Sequence, residues 1–148
     1  MKILLEYGAD AHLRNLKDRD TLAMATLYGF RSKDLNSIIK MLLFYEVEID
    51  FMDASGAAPL HECAIRNLCK PMKLLLESGA NVNLPHKRNG LTALQILCSS
   101  ANPDVEAVRS LLEFGAQPNA KDSRGQNAYD RIFAAHNKNV STSTFILF

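Results

Sequence analysis

Residues 58–83 read APLHECAIRNLCKPMKLLLESGANVN, and this stretch decides the fold. Its opening returns in weaker copies, so that openings start at residues 20, 58, 92 and 127, which are 38, 34 and 35 residues apart. Its end, LLLESGA at residues 74–80, returns as LLEFGA at residues 111–116 and as ILLEYGA at residues 3–9. A repeat of this length predicts a solenoid, in which each unit packs on its neighbours instead of around one central core.

One repeat can be derived from the conformational preferences of its residues. The cluster at residues 53–57 predicts a tight turn, because Gly56 tolerates a positive φ. Pro59 suits the first turn of a helix, where its missing N–H is not needed. Pro71 predicts the start of a second helix, and the apolar residues after it recur at i, i+3 and i+4. Gly79 predicts the left-handed cap that ends this helix.

A Thr-Pro-Leu-His-type opening with a period near 33 residues is the signature of ankyrin repeats. The chain therefore resembles the ankyrin-repeat family over nearly its whole length, most specifically between residues 53 and 86. The resemblance implies an all-α solenoid of stacked ankyrin repeats. Each repeat is expected to consist of a β-hairpin finger and a helix-turn-helix, and the stack is expected to curve around a concave binding face.

The repeat pattern divides the chain into segments that differ in completeness. We expect the second half of an incomplete repeat, a degenerate repeat with an inter-helix insertion, two regular repeats, an incomplete terminal repeat and a tail, at residues 1–14, 15–52, 53–86, 87–121, 122–140 and 141–148. Because the pattern begins in the middle of a repeat, we expect the sequence to start inside a longer protein. The alternative is that the first helix serves as a makeshift cap.

Two positions in the repeats lead to specific structural expectations. Glu46 stands where the equivalent residues are Gly8, Gly79 and Gly115, so it is expected to adopt the left-handed conformation that caps a helix. His61 resembles the histidine of the family opening, and the resemblance implies that it hydrogen-bonds backbone between neighbouring hairpins.

Composition excludes several functional classes. The formal net charge is +1, with 47% apolar and 22% charged residues, which gives no bulk electrostatic reason to expect nucleic acid or a membrane surface. The longest apolar runs fall far short of the ~20 residues that a membrane span needs. Three cysteines at irregular spacing argue against a disulfide framework and for a reducing compartment. The cytoplasm is expected, and the nucleus is the alternative.

The sequence contains no constellation that predicts catalysis. Phosphate-binding, zinc-protease and nucleophile-elbow motifs are all missing from the sequence. Cys63, Cys69 and Cys98, together with His61 and His86, supply zinc-ligand chemistry but lack the spacing of structural sites. Packing of the cysteines as small apolar side chains is favoured over zinc binding. We therefore predict no enzyme activity, no cofactor and no metal.

The resemblance implies that a partner contacts the hairpin tips and the residues that follow the first helices. Tyr28 is the most specific of these predictions, because aromatic residues dominate binding hot spots. Lys and Arg at the tips form a basic edge that fits a partner with an acidic patch, or they only keep the solenoid soluble. The expected contact residues are Leu16, Lys17, Arg19, Leu27, Tyr28, Ser55, Ala57, Ile65, Arg66, Arg88, Asn89, Leu91, Ser99, Ser100, Arg124 and Gln126.

The sequence therefore predicts a non-catalytic protein–protein interaction module, an adaptor or scaffold. Two alternatives remain open. The chain is the substrate-recognition segment of a larger signalling or ubiquitin-ligase protein, or it is the ankyrin portion of an enzyme whose catalytic domain lies outside these 148 residues.

Overall fold

The computed structural model describes residues 5–141, and the side chains of residues 5–137. Each expected helix opening is followed by a helix, and none of the described residues lies in a regular strand. A 3₁₀ turn, Gly29–Arg31, follows the first helix. The seven helices are α1 (Thr21–Tyr28), α2 (Leu35–Phe44), α3 (Pro59–Ile65), α4 (Cys69–Glu77), α5 (Ala93–Cys98), α6 (Val105–Glu113) and α7 (Ala128–Ser141).

The helices stack in two rows. The first helices of the repeats pack in the order α1, α3, α5 and α7, and the second helices pack in the order α2, α4 and α6. Each first helix also packs on the second helix of its own repeat, from α1 with α2 to α5 with α6. This nearest-neighbour arrangement is that of a helical solenoid, and the predicted fold is confirmed.

The core is one continuous cluster that runs through the stack. Its fully buried members come from both rows of helices, and they include Leu22, Ile39, Leu60, Met72, Leu97 and Leu111. The three cysteines are free thiols, and Cys63 and Cys98 are buried. Burial raises the pKa of the Cys63 thiol, so this side chain is protonated and packs as a small apolar group.

Turns join the repeats along one edge of the solenoid. The four hairpins span residues 15–19, 53–57, 86–91 and 122–126, and a backbone hydrogen bond joins the two ends of each. In the second hairpin, the N–H of Asp53 donates to the carbonyl of Ala57 at 3.0 Å. Successive hairpins are linked by backbone hydrogen bonds of 3.0–3.2 Å, from Ala54 to Lys17, from Lys87 to Gly56 and from Ser123 to Asn89. These bonds tie neighbouring repeats together at the fingers, in addition to the helix packing.

Glu46 has the predicted left-handed conformation, with φ of 57°. Its N–H donates to the carbonyl of Leu43, and the N–H of Val47 donates to that of Leu42. Gly79 and Gly115 end their helices with the same pair of bonds. The repeat pattern therefore predicted the backbone conformation correctly, although glutamate does not favour it.

Two helix boundaries differ from the sequence prediction. Helix α4 begins at Cys69 instead of Pro71, since Pro71 is tolerated within the first turn, whose N–H groups have no partner inside the helix. Helix α7 continues to Ser141, one residue past the expected end of the incomplete terminal repeat at residue 140. Residues 1–4 of the expected half-repeat and residues 142–148 of the expected tail lie outside the described residues.

Candidate protein-binding surface

The expected contact residues lie at the hairpin tips and near the C-terminal ends of the first helices. We call the hairpin tips together with these helix ends the hairpin side. Half-buried side chains on it are Arg19, Leu27, Ser55, Arg66, Leu91, Ser100 and Gln126. Exposed side chains are Leu16, Lys17, Tyr28, Ile65, Arg88, Asn89, Ser99 and Arg124.

Ala57 is a correction to this set. Its side chain is only 3% exposed, so it cannot contribute a contact surface. The residue closes the second hairpin through its backbone and leads directly into α3. The resemblance placed Ala57 at a hairpin tip, whereas the structure places it at the base of the hairpin.

Arg19 joins the first hairpin to the second. Its Nε donates to Asp53 Oδ2 at 2.6 Å, and both side chains are largely buried. The other carboxylate oxygen of Asp53 accepts from the backbone N–H groups of Ser55 and Ala57, and the Ser55 hydroxyl also donates to it. Burial raises the pKa of Asp53, but the hydrogen bonds from Ser55 and Arg19 outweigh it and hold this pKa below its ordinary value.

Other arginines near the fingers are also bound within the solenoid. The Arg88 guanidinium donates to the carbonyl of Ala54 in the preceding hairpin at 3.0 Å. Arg131 forms an ion pair with Asp122, the carboxylate that caps the last hairpin. Of the residues expected to form the basic edge, Arg19 is therefore neutralised by Asp53, whereas Arg88 bonds to a neutral carbonyl and keeps its net charge.

Deeper in the solenoid, His61 connects α3 to the next hairpin, as the resemblance implied. Its Nδ1 accepts from the N–H of Ala58 at 3.0 Å, and its Nε2 donates to the carbonyl of Leu84 at 2.9 Å. Burial lowers the pKa of His61 to about 4, so the ring is neutral at pH 7. Its role is structural.

Gln95 makes the equivalent connection one repeat later. Its Oε1 accepts from the N–H of Thr92, and its Nε2 donates to the carbonyls of Ala120 and Gln126 at 2.8 and 2.9 Å. The sequence analysis did not predict this role for Gln95, because the family motif has a histidine at this position. The sequence did contain an indication of it, since glutamine can both donate and accept hydrogen bonds and lies three residues after the N-cap Thr92.

Tyr28 lines a groove of about 600 Å³ beside α1. Apolar groups from Leu13, Met24, Ala25 and Ile38 form much of its wall, and no residue of α3 contributes to it. Arg19 lies at the same groove. The groove thus places Tyr28, an expected contact residue, beside apolar residues that were not among the expected contacts.

A second aromatic group lies beyond Tyr28. The Arg66 guanidinium lies 4.5 Å from the centroid of the Phe30 ring, and that of Arg31 lies 5.5 Å from it. Glu62 Oε2 is 3.6 Å from Arg66 Nε. Ile65 and Arg66 were predicted contacts, whereas Phe30 and Glu62 were missed. We call Phe30, Arg31 and Arg66 the Phe30 cluster.

The ion pair with Asp53 also sets the electrostatics of Arg19. The hydrogen bond to Asp53 is the main cause that raises the pKa of Arg19, so this side chain stays charged and keeps its partner within the solenoid.

Comparison with known proteins identifies the fold family. A sequence model of ankyrin repeats, in three copies, matches residues 22–122. The chain belongs to the ankyrin-repeat family. It is 33% identical over 104 residues to mouse protein phosphatase 1 regulatory subunit 27, an alignment that covers 69% of this chain and 64% of that protein.

Other relatives share shorter parts of their length with this ankyrin-repeat chain. The Caenorhabditis elegans E3 ubiquitin-protein ligase hecd-1 is 28% identical over 103 residues, which are 70% of this chain and 4% of that protein. Human ankyrin repeat domain-containing protein 63 is 45% identical over 56 residues, which are 38% of this chain and 14% of that protein. The chain thus spans less than two thirds of each of these relatives.

Within residues 5–141, no helix is long and apolar enough to cross a membrane. Nor do those residues contain a group of three or more His, Cys, Asp or Glu side chains that could hold a metal ion.

Proposed function

We propose that this chain is a non-catalytic adaptor or scaffold that binds a partner protein through its hairpin side. Ankyrin repeats are protein-interaction modules. The single observation that supports this surface is the exposure of Tyr28, whose aromatic side chain is 60% exposed at the C-terminal end of α1. Ile65, 57% exposed, adds a second apolar anchor.

The names of the relatives support a protein partner without identifying it. One is a regulatory subunit of protein phosphatase 1, and another is a ubiquitin-protein ligase. We infer as a second candidate that the chain recognises the substrate of a larger signalling or ubiquitin-ligase protein, since the segment of the nematode ligase that matches this chain is only 4% of that protein. The ankyrin portion of another enzyme is the remaining alternative. The three free thiols favour a cytoplasmic location, with the nucleus as the alternative.

Site-specific photo-cross-linking tests the proposed surface. A photoreactive amino acid is placed at Tyr28 or, as the matched control, at Arg109 on the second helix α6, and each protein is irradiated in cell extract. We expect a discrete protein adduct from position 28 that excess unlabelled chain competes away, and none from position 109. Adducts from position 109 alone would contradict the proposed surface.

A further inference from the structure

The arginines of the chain differ in whether their guanidinium groups already have an acceptor. Arg19 and Arg131 pair with buried carboxylates, Arg88 donates to a carbonyl, and Arg14, Arg66 and Arg109 lie 3.5, 3.6 and 3.7 Å from acidic oxygens. Arg31 and Arg66 are distinguished by lying over the same aromatic ring, that of Phe30. The Nε of Arg66 is buried without a hydrogen-bond partner, with Glu62 at 3.6 Å.

Phe30 holds these two guanidinium groups on the same surface. Both lie within 6 Å of its ring centroid, which is the range of a cation–π contact. Such a contact orients the planar group but leaves its N–H donors available. Arg66 is 27% exposed, so its remaining donors are accessible and partly shielded from water. A carboxylate placed there would gain charge-assisted hydrogen bonds at a low entropic cost.

We propose that the Phe30 cluster is an acidic-residue site, at which Arg31 and Arg66 bind an Asp or Glu carboxylate of a partner's peptide segment. This proposal rests on the function proposed above and names the chemistry of the partner. The exposed side chains of Tyr28 and Ile65 provide apolar contacts beside the site, so the recognised segment carries an apolar residue next to its acid. The acidic residue of the partner therefore binds at the Phe30 cluster and not at the hairpin tips.

The charge around the cluster favours a single carboxylate over a polyanion. The nearby Glu62 offsets one of the two arginine charges. A nucleic-acid backbone carries closely spaced phosphates and binds where several cationic groups follow one another. With Glu62 beside Arg66, the two arginines leave a net charge of about +1 at the cluster, which matches one side-chain carboxylate and not a run of phosphates.

Selection from a displayed library of random twelve-residue peptides tests the proposal. Peptides are selected in parallel on the unchanged chain, on Arg31→Gln, on Arg66→Gln and on Arg109→Gln, which removes an exposed arginine of α6 as the matched control. We expect Asp or Glu beside an apolar residue to be enriched by the unchanged chain and by Arg109→Gln. Either variant in the cluster should lose the acidic preference and retain the apolar one. Arg31 is an exposed residue at the end of the 3₁₀ turn, so Arg31→Gln keeps the test valid if Arg66→Gln does not fold.

The enriched peptide then gives a quantitative test by fluorescence anisotropy. Replacing its acid with the neutral amide should weaken binding about ten-fold, and Arg31→Gln should weaken it about three-fold or more. Equal affinity for the acidic and amide peptides would overturn the proposal, as would tighter binding of a single-stranded dT oligonucleotide that depends on Arg31 and Arg66. If the selected peptides share an apolar residue and need Tyr28 for binding but need no acidic residue, the acidic-residue site is wrong and the proposed function stands. If the selected peptide binds Tyr28→Ala and Ile65→Ala as tightly as it binds the unchanged chain, the result would count against the proposed function itself.

Discussion

His61 and Gln95 stand at equivalent positions in successive repeats, and each hydrogen-bonds from a first helix to the backbone of the following hairpin. The His61 ring bonds to Leu84, and the Gln95 amide bonds to Ala120 and Gln126. The two side chains therefore provide the same connection, but only the histidine can change its charge between pH 4 and 7.

His61→Gln should make the stability of the protein less sensitive to acid. The pKa of His61 is lowered from 6.5 to about 4 by burial, so the unfolded chain binds a proton at a higher pH than the folded chain does. The contribution of neutral His61 to the free energy of unfolding is fully present above pH 6.5, and it is lost as the pH falls from 6.5 to 4. The loss at pH 5 is on the order of 2 kcal/mol. Urea unfolding at pH 7 and pH 5 should show a smaller difference for the variant than for the unchanged chain.

The repeat supplies a reciprocal control for this experiment. Gln95→His places a titratable ring at the equivalent position and should increase the loss of stability at pH 5. His86, whose pKa burial also lowers, is present in all three proteins and largely cancels from the comparison. An equal loss in the unchanged chain and in His61→Gln would contradict the assignment.

Glu46→Gly should stabilise the protein by about 1 kcal/mol, because glycine adopts a positive φ without the steric cost that glutamate has. Removing a negative charge from the C-terminal end of α2 acts in the same direction. Gly79→Ala is the matched control. A Cβ at Gly79 meets nothing within 4 Å, so only its φ of 93° opposes the change, and a loss of about 1 kcal/mol is expected. Chemical denaturation measures both variants, and an unchanged or lower stability of Glu46→Gly would refute the prediction.

Asp53→Ala should cost more stability than Arg19→Ala. Loss of the carboxylate leaves the N–H groups of Ser55 and Ala57 and the Arg19 guanidinium without their acceptor, at about 2–3 kcal/mol. Loss of Arg19 leaves Asp53 with its hairpin donors, so we expect about 1 kcal/mol. A double-mutant cycle by urea unfolding gives the coupling between them. Loss of partner binding with unchanged stability in Arg19→Ala would show instead that Arg19 is a contact residue.

The sequence predicted the features of the fold that depend on local chemistry and on repetition. The four openings located the starts of α1, α3, α5 and α7, and comparison with Gly79 and Gly115 revealed the left-handed cap at Glu46. Turn residues, caps and apolar periodicity determine structure over a few neighbouring positions. The equivalent positions of the degenerate repeats can therefore be identified by comparison with one regular repeat.

The surface was predicted less well because it depends on contacts between repeats. Arg19 meets a carboxylate 34 residues later in the chain, and Arg66 meets a ring in a loop that the regular repeats do not contain. Neither of these two contacts can be predicted from the spacing of residues within a single repeat. Ala57 was misplaced for the same reason, since its burial is decided by tertiary packing.

The central claim is that a partner binds the hairpin side, and titration of the cross-linked partner against four variants tests it most directly. Tyr28→Ala and Ile65→Ala remove exposed apolar anchors, while Lys73→Ala and Arg109→Ala change exposed residues of the second helices and serve as controls. We predict that each of the first two weakens binding by about 1–3 kcal/mol with unchanged helix content, and that the controls leave the affinity unchanged. If the variants of the second helices abolish binding and those at Tyr28 and Ile65 do not, the partner uses the opposite face and the proposed surface is wrong.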